Sequence, residues 1–310
     1  MPFLRHTLAA ALLTSCVLVP TGSANGASCP SWEKEPVASG YATLENLGFD
    51  GAGGLLLSEG SLAGGSGGLR RLDPDGTRTT VVEPVASPGG IVIGSGADAG
   101  TVFFTSGNGF ASGLFGLKDG AINAVDLADG VATGPARVVA SGLTMPNGMV
   151  RLPGGDFVVS RDVLGPVATM TRVHADGSSE PFAPKVTSTN GMAVDPERGL
   201  LYVASTFNLL STVSVVKLAD PTAKPRVIVI PGLGPLNAAD DLTLGPDGNL
   251  YVALNLAGKV VRVDPDSGAV CQVAKGIPFV SSLRFGAGPG WDPASLYTTS
   301  FQGKVTRIKP

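Results

Sequence analysis

The 310-residue chain is 43% hydrophobic and only 15% charged, carries 44 Gly and 24 Pro, and has a formal net charge of −3. Its few, scattered Lys and Arg give nucleic acid and anionic membrane surfaces no electrostatic hold. At this length one large all-β domain is as admissible as two smaller ones. The chain opens with Arg5, an apolar run from Leu8 to Pro20, and small residues through Ala24 and Ala27. That order is a secretory signal peptide over residues 1–27, with cleavage after Ala24 or Ala27, and its apolar run is too short to span a bilayer comfortably. Leu13-Thr14-Ser15-Cys16 offers a lipobox as the alternative, although Val17-Leu18-Val19 carries the apolar run past the cysteine. The expectation is a secreted or periplasmic protein without a membrane span. Export leaves Cys29 and Cys271, which an oxidising compartment would join across a loop of 242 residues, worth roughly 5 kcal/mol in loop-closure entropy; two separate buried thiols are the alternative.

From residue 28 onward, helical periodicity is almost absent, and short β-rich runs bounded by Gly, Pro, Asp and Asn take its place. Six of them are versions of one strand: Gly54–Ser58, Thr101–Thr105, Asp156–Ser160, Leu200–Ala204, Leu250–Ala253 and Ser295–Thr299. Each follows another apolar strand and, in most cases, a turn such as Asp50-Gly51-Ala52-Gly53 or Gly245-Pro246-Asp247-Gly248, in which Asp and Pro set the bend and Gly supplies positive φ. Units begin near Leu44, Pro88, Met145, Thr189, Ala239 and Ser281, spaced 44, 57, 44, 50 and 42 residues apart. The long second unit contains a Gly-rich insertion around Gly107 to Gly120. Strand, turn, strand, loop, strand, turn, strand is the pattern of a propeller blade, so residues 28–310 are expected to form an all-β, six-bladed β-propeller with four-stranded blades. The sixth unit has only three strands; Glu35 to Ala42 could supply the fourth, closing the ring with an N-terminal strand and removing the exposed edges. A β-sandwich array is the competing arrangement.

The innermost strand of each blade begins near the central channel, so residues just before those strands converge. Down the chain that position reads Glu45, Pro88-Gly89-Gly90, Asn147, Asn190, Asp240 and Ser281-Ser282. Two carboxylates and two amides make a hard-oxygen cage of charge −2, which suits Ca²⁺, with Mg²⁺, Mn²⁺ or Zn²⁺ as alternatives. Glu45, Asn147, Asn190 and Asp240 are therefore the candidate metal ligands, and a cation would relieve the repulsion of acids held together. Taken singly, an Asn-Gly is a turn dipeptide and Glu45 or Asp240 a loop carboxylate.

Glu45-Asn46-Leu47-Gly48-Phe49-Asp50 resembles the Glu-Gly-Pro-x-Trp/Phe-Asp segment of the gluconolactonase/senescence-marker-protein/luciferin-regenerating family of six-bladed propellers, which is related to diisopropyl fluorophosphatase and paraoxonase. Asn147-Gly148 and Asn190-Gly191 are similar to its two Asn-Gly blade entrances. Asp240 through Ala253 resembles its Asp-Gly-Met-x-x-Asp-x-x-Gly-x-Leu-Trp-Val-Ala segment. The resemblance implies a channel metal on Glu45, Asn190 and Asp240, with Asn147 as a fourth ligand or substrate contact and Asp241 as a secondary candidate. Three departures stand out: Asn46-Leu47 replaces Gly-Pro, Met145 stands where sugar lactonases carry Arg, and position 241 is Asp rather than Gly. His174, the only histidine after the leader, sits in a hairpin turn, which rules out a paraoxonase-type histidine dyad.

Without a His or Cys nucleophile the chemistry would rest on the metal, which polarises a carbonyl or phosphoryl oxygen. Asp240 or Glu45, the candidate catalytic residues, would take a proton from the attacking water, or Asp240 would attack directly. Substrate would meet Asn108, Arg161, Phe207, Asn208, Asn255 and Phe301, which follow the second strands. The expected function is hydrolysis of a lactone or related small ester by a monomer acting on a small-molecule substrate. A non-catalytic metal-stabilised binding propeller, or a propeller with another reaction as in strictosidine synthases, are the alternatives.

Overall fold

The structure, a computed structural model, describes residues 29–60, 66–162 and 169–310. The signal segment 1–27 and the lipobox Cys16 lie outside the described residues. Among the described residues β1 (Glu33–Ala38) comes first, and the chain then lays down six antiparallel sheets in order. Blade one is β2 (Leu44–Phe49), β3 (Leu55–Glu59), β4 (Ser66–Leu72) and β5 (Arg78–Ala86). Blade two is β6 (Ile91–Ile93), β7 (Thr101–Ser106), β8 (Gly120–Ala128) and β10 (Arg137–Leu143), with a short extra strand β9 (Val131–Ala132) on β8. Blade three is β11 (Pro146–Arg151), β12 (Phe157–Arg161), β13 (Met170–Val173) and β14 (Ser179–Phe182). Blade four is β15 (Thr189–Asp195), β16 (Leu200–Ser205), β17 (Leu210–Lys217) and β18 (Arg226–Leu233). Blade five is β19 (Ala239–Leu244), β20 (Leu250–Leu254), β21 (Lys259–Val263) and β22 (Val270–Lys275). Blade six is β23 (Val280–Phe285), β24 (Leu296–Ser300) and β25 (Lys304–Lys309), and β1 pairs with β25 to complete it. The expected six-bladed propeller and its N-terminal closing strand are both present.

Burial follows distance from the axis. Inner β2 and second strand β20 are buried at every position, because blades cover both faces there. Outer β18 alternates instead, burying Ile228 and Ile230 while Val227 and Val229 face solvent. Apolar side chains from neighbouring blades interleave in six separate clusters, one at each seam of the ring. The seam between blades six and one is the most aromatic: Phe49, Trp291 and Tyr297 meet with ring centroids 5.1–5.5 Å apart. Such pairs add about 0.5–1.5 kcal/mol each beyond area burial. A disulfide joins Cys29 to Cys271 in β22 with Cα atoms 5.6 Å apart, and Trp32 packs on Tyr251. The N-terminal segment is thus tied to blade five, contributes a strand to blade six and continues into blade one.

The hairpin turns behave as their residues dictate. Asp50 Oδ1 accepts from the Ala52 and Gly54 amides at 2.7 Å, and Gly51 has φ of 78°. Among the described residues α-helix is limited to two short segments at the end of the propeller where inner strands begin: α1 (Phe110–Phe115) in the Gly-rich insertion and α2 (Gly234–Asn237) before β19. Periodicity could not announce helices this short. His174 lies at the other end, in the β13–β14 turn, facing Asp156 at 3.1 Å and Glu180 at 3.4 Å. It is half-buried among these partners rather than freely solvated, and far from the blade entrances in the fold.

Candidate functional site

The site is built by one backbone device repeated around the ring. In five blades the first residue of the inner strand pairs with the second strand, two residues bulge, and pairing resumes at the fourth. Leu44 pairs with Glu59 and Leu47 with Leu57, so Glu45 and Asn46 together face Ser58. Blade two repeats this, since Gly89 N donates to Thr105 O while Thr105 N donates to Gly90 O. A bulge turns a side chain out of the alternation of the strand, which is why bulges collect near active sites. The first bulge residue is Glu45, Gly89, Asn147, Asn190, Asp240 or Ser281 in chain order, so all four expected ligands occupy equivalent stations.

The second bulge residue faces the neighbouring blade, and this explains the glycines of the Asn-Gly pairs. A Cβ on Gly148 would stand 2.7 Å from Asn190 O, and one on Gly191 2.3 Å from Asp241 Cα. These glycines let inner strands close on one another and are not turn residues. Asp241 holds the same station in blade five. Its Oδ2 accepts from Ser282 Oγ and, at 2.7 Å, from Arg284 Nη1, while Oδ1 accepts from the Leu242 amide at 2.8 Å. Its carboxylate is committed to the seam with blade six, which gives position 241 a structural partner set of its own.

Glu45, Asn147, Asn190 and Asp240 are all buried, at 3–5% exposure. Asn190 Nδ2 lies 2.9 Å from Asp240 Oδ1, 3.2 Å from Asp162 Oδ2 and 3.1 Å from Thr206 Oγ1. One amide nitrogen with two hydrogens therefore stands among three acceptors. Asn255 Nδ2 donates to Asp240 Oδ2 at 2.9 Å, and Asn108 Nδ2 to Glu45 Oε1 at 3.4 Å. The contacts join Asn190 to Asp240 and place Glu45 in the same electrostatic neighbourhood; Asn147 is buried at the matching station of blade three.

Asp162 is the residue that sequence reasoning missed. It follows β12 directly, as Thr206 follows β16 and Asn255 follows β20, so a second ring of stations sits one residue beyond the second strands. The signal existed in the sequence, but the bulge count must be known before Asp162, rather than Arg161, falls in line. Burial raises the Asp162 pKa to about 8 against the easing effect of the Thr206 hydroxyl, with the charge of Glu45 adding to the rise. Asp240 is also held well above the usual carboxylate range, first by burial and then by Glu45, Asp162 and Asp241. Asp162 as a whole is only half-buried, yet its Oδ1 is shut off from water and has no hydrogen-bond partner. Asn108 Oδ1 is in the same position.

Among the described residues no three His, Cys, Asp or Glu side chains form a ready-made coordination cluster. The donor set that faces the channel is instead carboxylates interleaved with amides, with two buried oxygens unsatisfied and an amide nitrogen in a pocket of acceptors. That set fits a hard cation, because turning the Asn190 amide over would present Oδ1 in place of Nδ2. At the far mouth, where inner strands end, a cavity of about 860 Å³ is lined by Ile91, Met149, Met192, Leu242 and Arg284. None of the expected ligands borders it.

Fold and channel together define a six-bladed β-propeller whose inner-strand bulges present acids and amides to the axis. Residues 67–302 match the SMP-30/Gluconolactonase/LRE-like region, and the chain belongs to that family. Among curated proteins none matches the chain by sequence. Solved structures similar to it include a gluconolactonase from Xanthomonas campestris, 18% identical, covering 90% of this chain and 89% of that one with a TM-score of 0.65. A luciferin-regenerating enzyme is 15% identical, with 90% and 96% coverage and a TM-score of 0.67. Virginiamycin B lyase from Staphylococcus aureus is 12% identical, with 90% and 99% coverage and a TM-score of 0.58. At such identities these likenesses establish the fold, which accommodates more than one reaction.

Proposed function

We propose that the protein is an exported, monomeric hydrolase of a lactone or related small ester that works with a divalent cation, Ca²⁺ foremost, in the propeller channel. The observation that carries this reading is the convergence on Asn190 of Asp240 and Asp162, two acids that burial and the charge of neighbouring acids make costly to ionise without a counter-charge. Glu45, Asn147, Asn190 and Asp240 would hold the ion, with Asp162 alongside them. When bound, a divalent cation supplies positive charge that stabilises the negative charge growing on an ester carbonyl oxygen. The chain's own groups account for the rest. Asn255 fixes Asp240 Oδ2, leaving the other oxygen of that carboxylate to accept the proton of an attacking water, with Glu45 as the second carboxylate able to do so. Burial of this constellation keeps bulk water from competing for the same hydrogen bonds. Family membership supports lactonase-type chemistry, and Met145 in place of the sugar lactonases' Arg points away from an aldonolactone. The signal-like segment at the start of the chain and the Cys29–Cys271 disulfide support export.

Elemental analysis of purified wild type and Asp240→Ala, paired with a panel of lactones, aryl esters and phosphotriesters with and without chelator, tests the proposal. One ion per wild-type chain, lost in the variant together with activity, is the expected result. Unchanged metal content in Asp240→Ala would overturn the ligand set.

A further inference from the structure

Both helices at the site end of the propeller are inverted. In α1 the buried residues are Ser112 and Gly113, while Phe110, Leu114 and Phe115 are 51%, 54% and 72% exposed. In α2 the buried residues are Gly234 and Asn237, while Leu236 is 66% exposed. A surface helix ordinarily turns its apolar stripe inward. Neither helix is loosely attached. Arg161 Nη2 donates to Gly113 O at 3.0 Å, the Met145 amide donates to Ser112 Oγ at 3.2 Å, and Asn237 Nδ2 donates to Pro231 O at 3.0 Å. The polar contacts fix the helices with their large apolar side chains outward.

The same bias extends around the rim. Of fourteen exposed large apolar residues among those described, ten lie on this end of the propeller, and the other four are valines of blades two and four. Their chain positions tie them to the site. Phe110 is two residues from Asn108, which donates to Glu45; Leu256 follows Asn255, which donates to Asp240; Phe279 precedes the blade-six entrance. Leu210 and Leu233 are Cα partners in the β17–β18 ladder, so with Leu209 and Leu236 they form one continuous apolar edge between blades four and five. Contiguous exposed apolar surface marks a ligand or partner site, and here the exposed apolar residues stand on blades two, four, five and six at the end of the propeller where the inner strands begin.

We infer that the substrate is an ester or lactone bearing an apolar chain or ring, whose apolar part lies on the rim formed by α1 and the Leu209–Leu236 edge while its carbonyl enters the channel. This deepens the hydrolase reading and rests on it for the chemistry, but not for the binding. Charge is scarce on these segments, with Lys118 and Asp119 just beyond α1 and the Arg161 guanidinium bonded to Gly113 O, which fits an uncharged apolar group rather than a sugar acid.

The test uses γ-lactones of increasing alkyl length and the matching lactams, which bind but are not hydrolysed, with the wild type, Leu114→Ser/Phe115→Ser and Leu236→Ser. These side chains are more than half exposed, so the variants keep the fold, as circular dichroism will check. In wild type, kcat/KM and lactam affinity should rise about twofold per methylene, half-burial of a group whose full transfer gives about fourfold. The variants should lose that slope. Affinity that does not change with chain length, or a slope the variants retain, would overturn the inference. Length-dependent lactam binding without hydrolysis of any lactone would sustain it and defeat the hydrolase reading instead. Binding of phosphatidylcholine vesicles or self-association, abolished by the rim variants while the slope persists, would assign the rim to a membrane or a second copy and also overturn it.

Discussion

Replacing Asp162 by Asn probes the channel's electrostatics directly. Burial raises the Asp162 pKa from 3.8 to about 8, so the metal-free folded chain keeps a proton that the unfolded chain releases near pH 4. The protonated acid favours folding fully below the unfolded pKa, and that contribution drains away as pH rises toward 8. An amide of the same shape never ionises and escapes the loss. Over the roughly three pH units between the unfolded pKa and pH 7, at ~1.4 kcal/mol per unit, Asp162→Asn should stabilise the chelator-treated protein by at most about 4 kcal/mol. Weakened contacts to Asn190 and Thr206 should trim this by about 1 kcal/mol. Urea denaturation in chelator at pH 5 and pH 7.5 measures it: wild type should weaken on going to the higher pH, and the variant should lose part of that slope, Asp240 still titrating in the same sense. With saturating Ca²⁺ the order should reverse, since at the proposed cation site the variant gives up a negatively charged oxygen. An Asp162→Asn protein that is less stable than wild type in chelator at pH 7.5, or that keeps the full pH slope, would refute the account of a crowded, buried acid pair.

Other outcomes follow from the same geometry. Gly90→Ala should impair folding by roughly 1–3 kcal/mol in chemical denaturation, because its Cβ would lie 2.6 Å from Met149 N and strain the Gly90 N to Asn147 O bond of 2.7 Å. Asp241→Asn should leave metal content at the wild-type level while lowering Tm, since Arg284 and Ser282 lose a buried charged acceptor; loss of the ion with the fold intact would place Asp241 among the ligands after all. Cys29→Ser should lower unfolding stability by about 2–5 kcal/mol without altering turnover, as the bond closes a 242-residue loop far from the channel. Trp291→Ala should cost about 3–5 kcal/mol at the blade six–blade one seam, read as a lower urea midpoint with the spectrum of a folded β protein retained.

The fold was legible because each blade repeats a local grammar: turn residues at fixed offsets and apolar runs whose length matches a strand. Leu44, Thr189 and Ala239 fall on the inner-strand starts, and the shortfall in blade six pointed to an N-terminal strand before β25 was seen to receive β1. The four expected ligands occupy equivalent bulge stations for the same reason. What the repeat could not convey was spatial company. Asp162 belongs to no motif and owes its part to one residue of register beyond β12. Asp241 is a secondary candidate by family resemblance, and its partners Ser282 and Arg284, which no motif announces, come from the next blade. Of the expected substrate contacts, Asn108 and Asn255 turn out to brace Glu45 and Asp240, while Arg161 anchors α1. The helices themselves are too short for any periodicity to declare.

The recurring bulge also separates what the ring needs from what the channel does. Two residues stand against one at each station, so the ladder on either side closes whether the inward position carries an acid, an amide, a serine or nothing larger than hydrogen. Chemistry can thus be rewritten one blade at a time, with Gly89 and Ser281 as the stations where neither an acid nor an amide has been written, and the scaffold is indifferent to the change so long as the neighbouring residue still fits its seam.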